Sequence, residues 1–141
     1  MTPSGDCTFC RIATGDLPAT IVAETELTIA FLDHRPLIPG HTLLIPRAHI
    51  ETLRDVDDEL IAPFFAEVRR LAAAVQDGME AQGSFVAENN VVSQSVPHLH
   101  VHVVPRNKKD GLRGFFWPRT KYTDAAEMEA AAAAIRRALD G

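Results

Sequence analysis

Three histidines, His98, His100 and His102, alternate with aliphatic residues in the run Pro97-His98-Leu99-His100-Val101-His102-Val103-Val104-Pro105-Arg106. Imidazole can attack phosphorus, pass a proton near neutral pH, or bind a metal. The alternation has a period of two, which is that of a β-strand. Strand side chains point to opposite faces in turn, so one face carries all three imidazoles and the other is apolar. Neighbouring rings then stand roughly 6–7 Å apart. A row of that length suits chemistry on a group such as a phosphate. The plain alternative is a set of polar residues on a solvated sheet face. Half of the chain's six histidines fall in this five-residue window, which argues for chemistry.

A second group of chemically able residues opens the chain. Cys7-Thr8-Phe9-Cys10 is a C-x-x-C, which reads as a redox pair, as half of a zinc site, or as two small buried residues. A thioredoxin-like reading needs a βαβ frame, and no strand pattern precedes Cys7. Soft thiolates with histidines to spare favour a Cys₂His₂ zinc site. His49, which follows a strand, and His98, at the outer end of the row, are the natural third and fourth ligands. Such a zinc is closed and structural, one per chain, and pins the N-terminal segment to the sheet. His100 and His102 are then left for chemistry. Asp33, at the end of another strand, is a further candidate.

These residues need a scaffold, and the chain supplies one domain's worth. It has 141 residues, 46% hydrophobic and 23% charged, with a formal net charge of -5. That charge argues against nucleic acid or a membrane surface as partner. No apolar run approaches the ~20 residues of a membrane span. Residues 1–6 lack the basic start and apolar run of a signal peptide, so a cytoplasmic location and reduced cysteines are expected. Neither an internal repeat nor a low-complexity linker is present.

The patterning predicts a short helix over residues 9–13 and strands over 21–24, 28–32 and 41–46. Prolines and glycine mark the corners of a three-stranded meander. A long helix follows over 55–81, with Leu60, Phe64, Val68, Leu71 and Val75 as its apolar stripe. Pro63 requires it to start or bend nearby. A fourth strand over 84–88 and the loop 89–96 lead into the histidine strand. The aromatic run Gly114-Phe115-Phe116-Trp117 is too short for a core helix. An Ala-rich helix over 123–139 closes the chain, with Asp124 and Glu127 at capping-box spacing. The fold class is α+β: a five-stranded antiparallel meander sheet with helices packed on one face.

His98-Leu99-His100-Val101-His102-Val103-Val104 resembles the signature of the histidine-triad (HIT) family of nucleotide hydrolases and transferases. Cys7-Thr8-Phe9-Cys10-Arg11-Ile12 is similar to the family's N-terminal start. Residues 31–36 and 39–49 resemble its nucleoside-binding segments, and Gln94-Ser95-Val96-Pro97 its lead-in to the triad. The resemblance spans residues 7–106 of a single domain, and the C-terminal helix is an extension. It implies a covalent nucleotidyl-histidine on His100, hydrolysed by water to a nucleoside monophosphate. A main-chain carbonyl aims His100, His102 bonds phosphate oxygens, and Ser95 reaches the phosphoryl oxygen or the leaving group. Gln94 stands beside it. Asp33 matches the ribose-binding carboxylate, with His34 next to it. Ile12, Phe31, Leu43 and Ile45 are candidates to clamp the base.

The implied substrate is a purine nucleotide or dinucleotide: a phosphoramidate, an acyl or sulfonyl adenylate, or a dinucleoside polyphosphate. The implied assembly is a homodimer with a ten-stranded sheet. Two features depart from the family pattern. Ala87 stands where many members have Asn, and the loop before the triad lacks its glycines. Asn89 and Asn90 are candidates for the missing polar contact. In some family dimers a C-terminal aromatic reaches the neighbouring site, which makes Trp117 a candidate beside the simpler reading as a core or surface anchor. Arg119 and Lys121 would then meet a second phosphate, or are solvated charges. Two other classes compete. A non-catalytic nucleotide-binding adaptor could keep this fold. A metal-dependent oxygenase or isomerase could use H-x-H on a strand, but it needs a carboxylate and a distant ligand facing one metal.

Overall fold

The computed structural model describes residues 5–113 and 118–141. Trp117 and its aromatic neighbours lie outside the described residues. Residues up to Asp110 form one compact unit and residues from Gly111 a second. The first unit contains α1 (Thr8–Ala13), β1 (Ile21–Glu24), β2 (Thr28–Leu32), β3 (Thr42–Pro46), a short 3₁₀ turn (Leu53–Asp55), α2 (Asp58–Gly78), β4 (Gly83–Glu88) and β5 (Val101–Arg106).

All five strands form one antiparallel sheet. β1, β2 and β3 are the expected meander, but the sheet order is β1-β2-β3-β5-β4. The last strand inserts between β3 and β4. β5 bears Pro105, which cannot donate to a ladder, yet lies inside the sheet. Its pairing with β3 runs only from Val101 to Val103, so Pro105 faces β4 alone.

The period of two sorts the sheet into two faces. Ala30, Leu44, Leu99, Val101 and Val103 share one cluster with Phe64, Val68, Leu71 and Val75 of α2. Each fully buried Val, Leu or Phe side chain among them contributes about 1.5–3 kcal/mol. α2 thus covers the apolar face, as its stripe requires. It begins three residues later than the pattern suggests, because Asp55 is used elsewhere: its carboxylate accepts from the Thr52 hydroxyl (2.6 Å) and amide (3.2 Å). Pro63 lies in the second turn of α2, where its missing amide proton removes one bond near the start of the helix and leaves the later turns intact.

The expectation of helices on one face holds for α2 and fails for α1. Phe9 and Cys10 of α1, with its capping residue Cys7, pack with Ile29, Phe31, Leu43 and Ile45 on the opposite, histidine-bearing face. Cys7, Phe9 and Cys10 of the C-x-x-C motif are all buried there. The second unit contains α3 (Ala125–Asp140), capped by Asp124, whose carboxylate accepts from the Glu127 amide at 2.8 Å. Glu127 returns the bond from the Thr123 amide at 3.2 Å. Among the described residues no helix is long and apolar enough to cross a membrane.

Candidate active site and metal centre

The three histidines line up as their spacing predicts, although β5 begins only at Val101. His102 pairs with Leu43 on β3 and Ala87 on β4, so these residues share a face. Residues 98–100 lead into the strand, with the Leu99 amide donating to the Ile50 carbonyl (2.7 Å). The rings of His100 and His102 are 5.0 Å apart, closer than strand rise alone gives, because strand side chains lean along the strand.

Each histidine has its own task, set by the partner of one ring nitrogen. His100 is 3% exposed, and its Nδ1 lies 2.8 Å from the His98 carbonyl oxygen. A carbonyl can only accept, so Nδ1 carries the proton and Nε2 carries a lone pair. That is the tautomer a nucleophile needs.

His102 is fixed through a residue that sequence reasoning missed. The Leu37 amide donates to His41 Nδ1 (3.1 Å), which leaves the His41 proton on Nε2. His41 Nε2 donates to His102 Nδ1 (2.9 Å), so the His102 proton sits on Nε2. The chain from Leu37 through His41 to His102 thus ends in an N–H donor. His41 is 3% exposed. Burial lowers its pKa, opposed by the Asp33 carboxylate 3.8 Å away. Burial, with the neighbouring His100 and His41, lowers His102 to about 4. Both rings are neutral at pH 7, as the chain requires. The missed signal was parity: His41 is two residues before Leu43, so it faces the same way. Gly40 prepares its approach with φ +99°, and a Cβ there would meet the Met79 side chain at 2.7 Å.

A cleft of about 670 Å³ opens over these histidines. Its walls include Ile12, Phe31, Asp33, His34, Leu43, Ser95, His100 and His102. The remaining candidates lie elsewhere. Ile45 is fully buried beneath α1, on the right face but covered. Gln94 braces the loop before the triad: its amide donates to the Glu51 carbonyl (2.6 Å) and its oxygen accepts from the Val91 amide (3.0 Å). Asn89 donates to the Ser93 carbonyl (3.3 Å), and the Asn90 oxygen accepts from the Leu53 amide (2.8 Å). These bonds hold Val91 (φ +69°) and Ser93 (φ +62°) in left-handed conformations that glycine would adopt without strain.

At the other end of the row, Cys7, Cys10, His49 and His98 bring four donor atoms within 4.8 Å of one another. His98 Nδ1 lies 3.3 Å from Cys7 Sγ and 3.5 Å from Cys10 Sγ, and His49 Nδ1 lies 3.3 Å from Cys10 Sγ. Tetrahedral zinc with ordinary bond lengths needs N···S edges of about 3.5 Å. His98 Nε2 donates to the Pro46 carbonyl (2.8 Å), so the lone pair on Nδ1 faces the sulfurs. Burial lowers His98 to about 4, the Pro46 carbonyl opposing. The residues fit a metal: two soft sulfurs, two imidazole nitrogens, and an outer hydrogen bond that fixes one ring.

The antiparallel sheet presents His100 and His102 of the alternating row to a cleft, with His98 turned to the cysteines. The comparisons say which family this arrangement belongs to. Residues 14–109 match the family model described as HIT domain. The protein hit of Bacillus subtilis is 40% identical over 114 residues, covering 79% of each chain. The adenosine 5'-monophosphoramidase hnt1 of Schizosaccharomyces pombe is 34% identical over 112 residues, covering 79% of this chain and 83% of its own. The crystal structure of a zinc-bound histidine-triad family protein from Mycobacterium smegmatis superposes with a TM-score of 0.72 at 36% identity, covering 94% of this chain and 97% of that one. The chain belongs to the HIT family.

Proposed function

We propose that this protein is a nucleotide hydrolase that cleaves at the α-phosphorus through a covalent intermediate on His100. The observation that carries this reading is the His100 Nδ1 to His98 carbonyl bond, which aims an unprotonated Nε2 into the cleft. The lone pair on Nε2 attacks phosphorus and a P–N bond forms. The bond to the leaving group breaks, and the leaving group takes the electron pair. Water then attacks phosphorus, the P–N bond breaks, and its pair returns to Nε2. In sum, the water's hydroxyl ends on phosphorus and its proton on the leaving group. The N–H of His102 Nε2 faces the phosphate oxygens, and Ser95 is within the same cleft to bond the phosphoryl oxygen or the leaving group.

Asp33 and His34 line the cleft beside its apolar walls, which suits a ribose next to a purine base. The name of the fission-yeast relative makes a nucleoside phosphoramidate the first substrate to try. The Cys7, Cys10, His49 and His98 group holds zinc in this reading, and the zinc pins α1 against the sheet. Free thiols used as ligands fit a reducing cytoplasm. A homodimer pairing β4 edges fits the exposed apolar side chain Val86 on that edge strand.

The test is rapid mixing with adenosine phosphoramidate followed by intact-mass measurement. A transient adduct of adenylate mass on the wild type, absent from His100→Gly, is the expected result. Full turnover by His100→Gly would remove the reading. Nucleotide binding without turnover across phosphoramidate, dinucleoside polyphosphates and aminoacyl adenylate would favour the adaptor. The oxygenase reading would have to use Asp33, His41 and His102, and the hydrogen bond from His41 Nε2 to His102 Nδ1 opposes it, because it occupies one ligand nitrogen with a proton and the other with that donor.

A further inference from the structure

His98 belongs to two systems at once. Its ring closes the Cys₂His₂ group, and its main-chain oxygen accepts the proton that fixes the tautomer of His100. Residues 98–100 precede β5 and lack its ladder, so that carbonyl is not held by strand pairing. The anchors around it are the ring bond to Pro46, the cysteine sulfurs, and the amides of His98 and Leu99, which donate to Val96 and Ile50. A second link runs through Phe9, which lies between the two cysteines in sequence. Its ring stands edge-to-face on His98 (6.0 Å) and on His100 (5.0 Å, 84°). Edge-to-face pairs at this distance are favourable and orientation-dependent.

We infer that the Cys7, Cys10, His49 and His98 group is a positioning device for the nucleophile, acting on the His100 ring through the His98 carbonyl and the Phe9 ring. The inference rests on the proposed role of His100. It goes beyond a structural metal, because it couples the occupancy and size of the bound ion to the rate of phosphoryl attack. Cys7, Cys10 and His49 are positioning residues and touch no substrate.

The test compares zinc-loaded, chelator-stripped and cadmium-exchanged protein. Cadmium keeps tetrahedral thiolate and imidazole coordination with longer bonds, so it displaces His98 without releasing α1. Three quantities are read: the rate of adduct formation on His100 at saturating adenosine phosphoramidate, the ¹⁵N–¹H signal of His100 Nδ1, and Tm. Saturation removes any change in substrate affinity caused by α1, which lines the cleft. The expected result is an adduct rate at least about threefold slower with cadmium, a further slowing on stripping, and a shifted His100 Nδ1–H signal in both. Re-added zinc restores all three quantities. An unshifted signal and a rate within about twofold of the zinc form, with the cadmium protein folded, overturns the inference. If stripping unfolds the chain, the cadmium arm decides. Absence of any adduct in the zinc-loaded wild type would instead overturn the reading of His100, while the Nδ1–H signal still reports the coupling.

Discussion

Two clusters of metal-type ligands flank His100, and their rings are set in opposite ways. Cys7, Cys10, His49 and His98 form one; Asp33, His41 and His102 form the other, with donor atoms equally close. The difference lies in what each ring's outer nitrogen does. His98 gives its outer proton to the Pro46 carbonyl, so its inner nitrogen is bare and can bind a cation. His41 receives the Leu37 amide on its outer nitrogen, so its inner nitrogen keeps a proton and becomes a donor. One backbone group therefore decides between a metal ligand and a hydrogen-bond relay. Counting histidines cannot separate the two clusters; the second partner of each ring can.

The largest expected effect lies between the clusters. His100→Gly should reduce turnover by at least about a thousandfold, with nucleotide affinity and Tm close to wild type, as calorimetry and thermal melts will measure. At the metal end the balance reverses. Cys7→Ser should lower Tm by about 10 °C or more, because binding free energy at a structural site is folding free energy. Activity per folded molecule should fall far less than for His100→Gly. A large loss of activity at unchanged Tm would make the bound ion catalytic and erase the contrast.

At the relay end, His41→Ala removes the donor to His102 Nδ1. Turnover should fall about tenfold, the equivalent of one hydrogen bond of roughly 1.4 kcal/mol. His41→Gln, which keeps an N–H donor, should recover part of it. Chelator should leave the His102 tautomer signal unchanged; if it mimics His41→Ala, the relay is a metal site after all.

The relay also makes stability depend on pH. His102 in the fold has a pKa of about 4, below the ordinary 6.5, and His41 is shifted the same way. Between those values the unfolded chain binds protons that the folded chain refuses. Their contribution is complete above about pH 6.5 and is lost as pH falls towards 4. Tm should therefore decline over that interval, and His102→Gln should decline less steeply. The smallest effect is expected from Gln94→Ala, which frees the loop before the triad. A cost of about 1 kcal/mol should appear as a small drop in Tm and a change in KM larger than that in kcat.

Much of this arrangement was legible because parity is legible. Alternation placed His98, His100 and His102 on one face with Leu99, Val101 and Val103 on the other, and it needed no knowledge of neighbours. The stripe on α2 was readable for the same reason. Sheet order was not, since a period fixes faces but says nothing about which strand lies beside which. β5 consequently entered between β3 and β4 unannounced. The side taken by α1 was not legible in its own six residues, of which only Phe9 and Cys10 are buried. Ile45 had the right parity for the cleft but is roofed by α1, a fact no local pattern contains. His41 was overlooked because attention went to clustered histidines, although its parity with Leu43 was in plain view.

The late insertion of β5 has a consequence for biosynthesis. β3 cannot find its neighbour until the chain has been made about 60 residues further on, past the whole of α2, and loop closure of that length precedes any ladder between them. A nascent chain stopped before β5 would carry β3 as an open edge with unpaired backbone groups, and such edges recruit other chains. The Cys7, Cys10, His49 and His98 group and the His100–His102 pair both draw on that last strand and its lead-in, so neither is assembled before the sheet is closed.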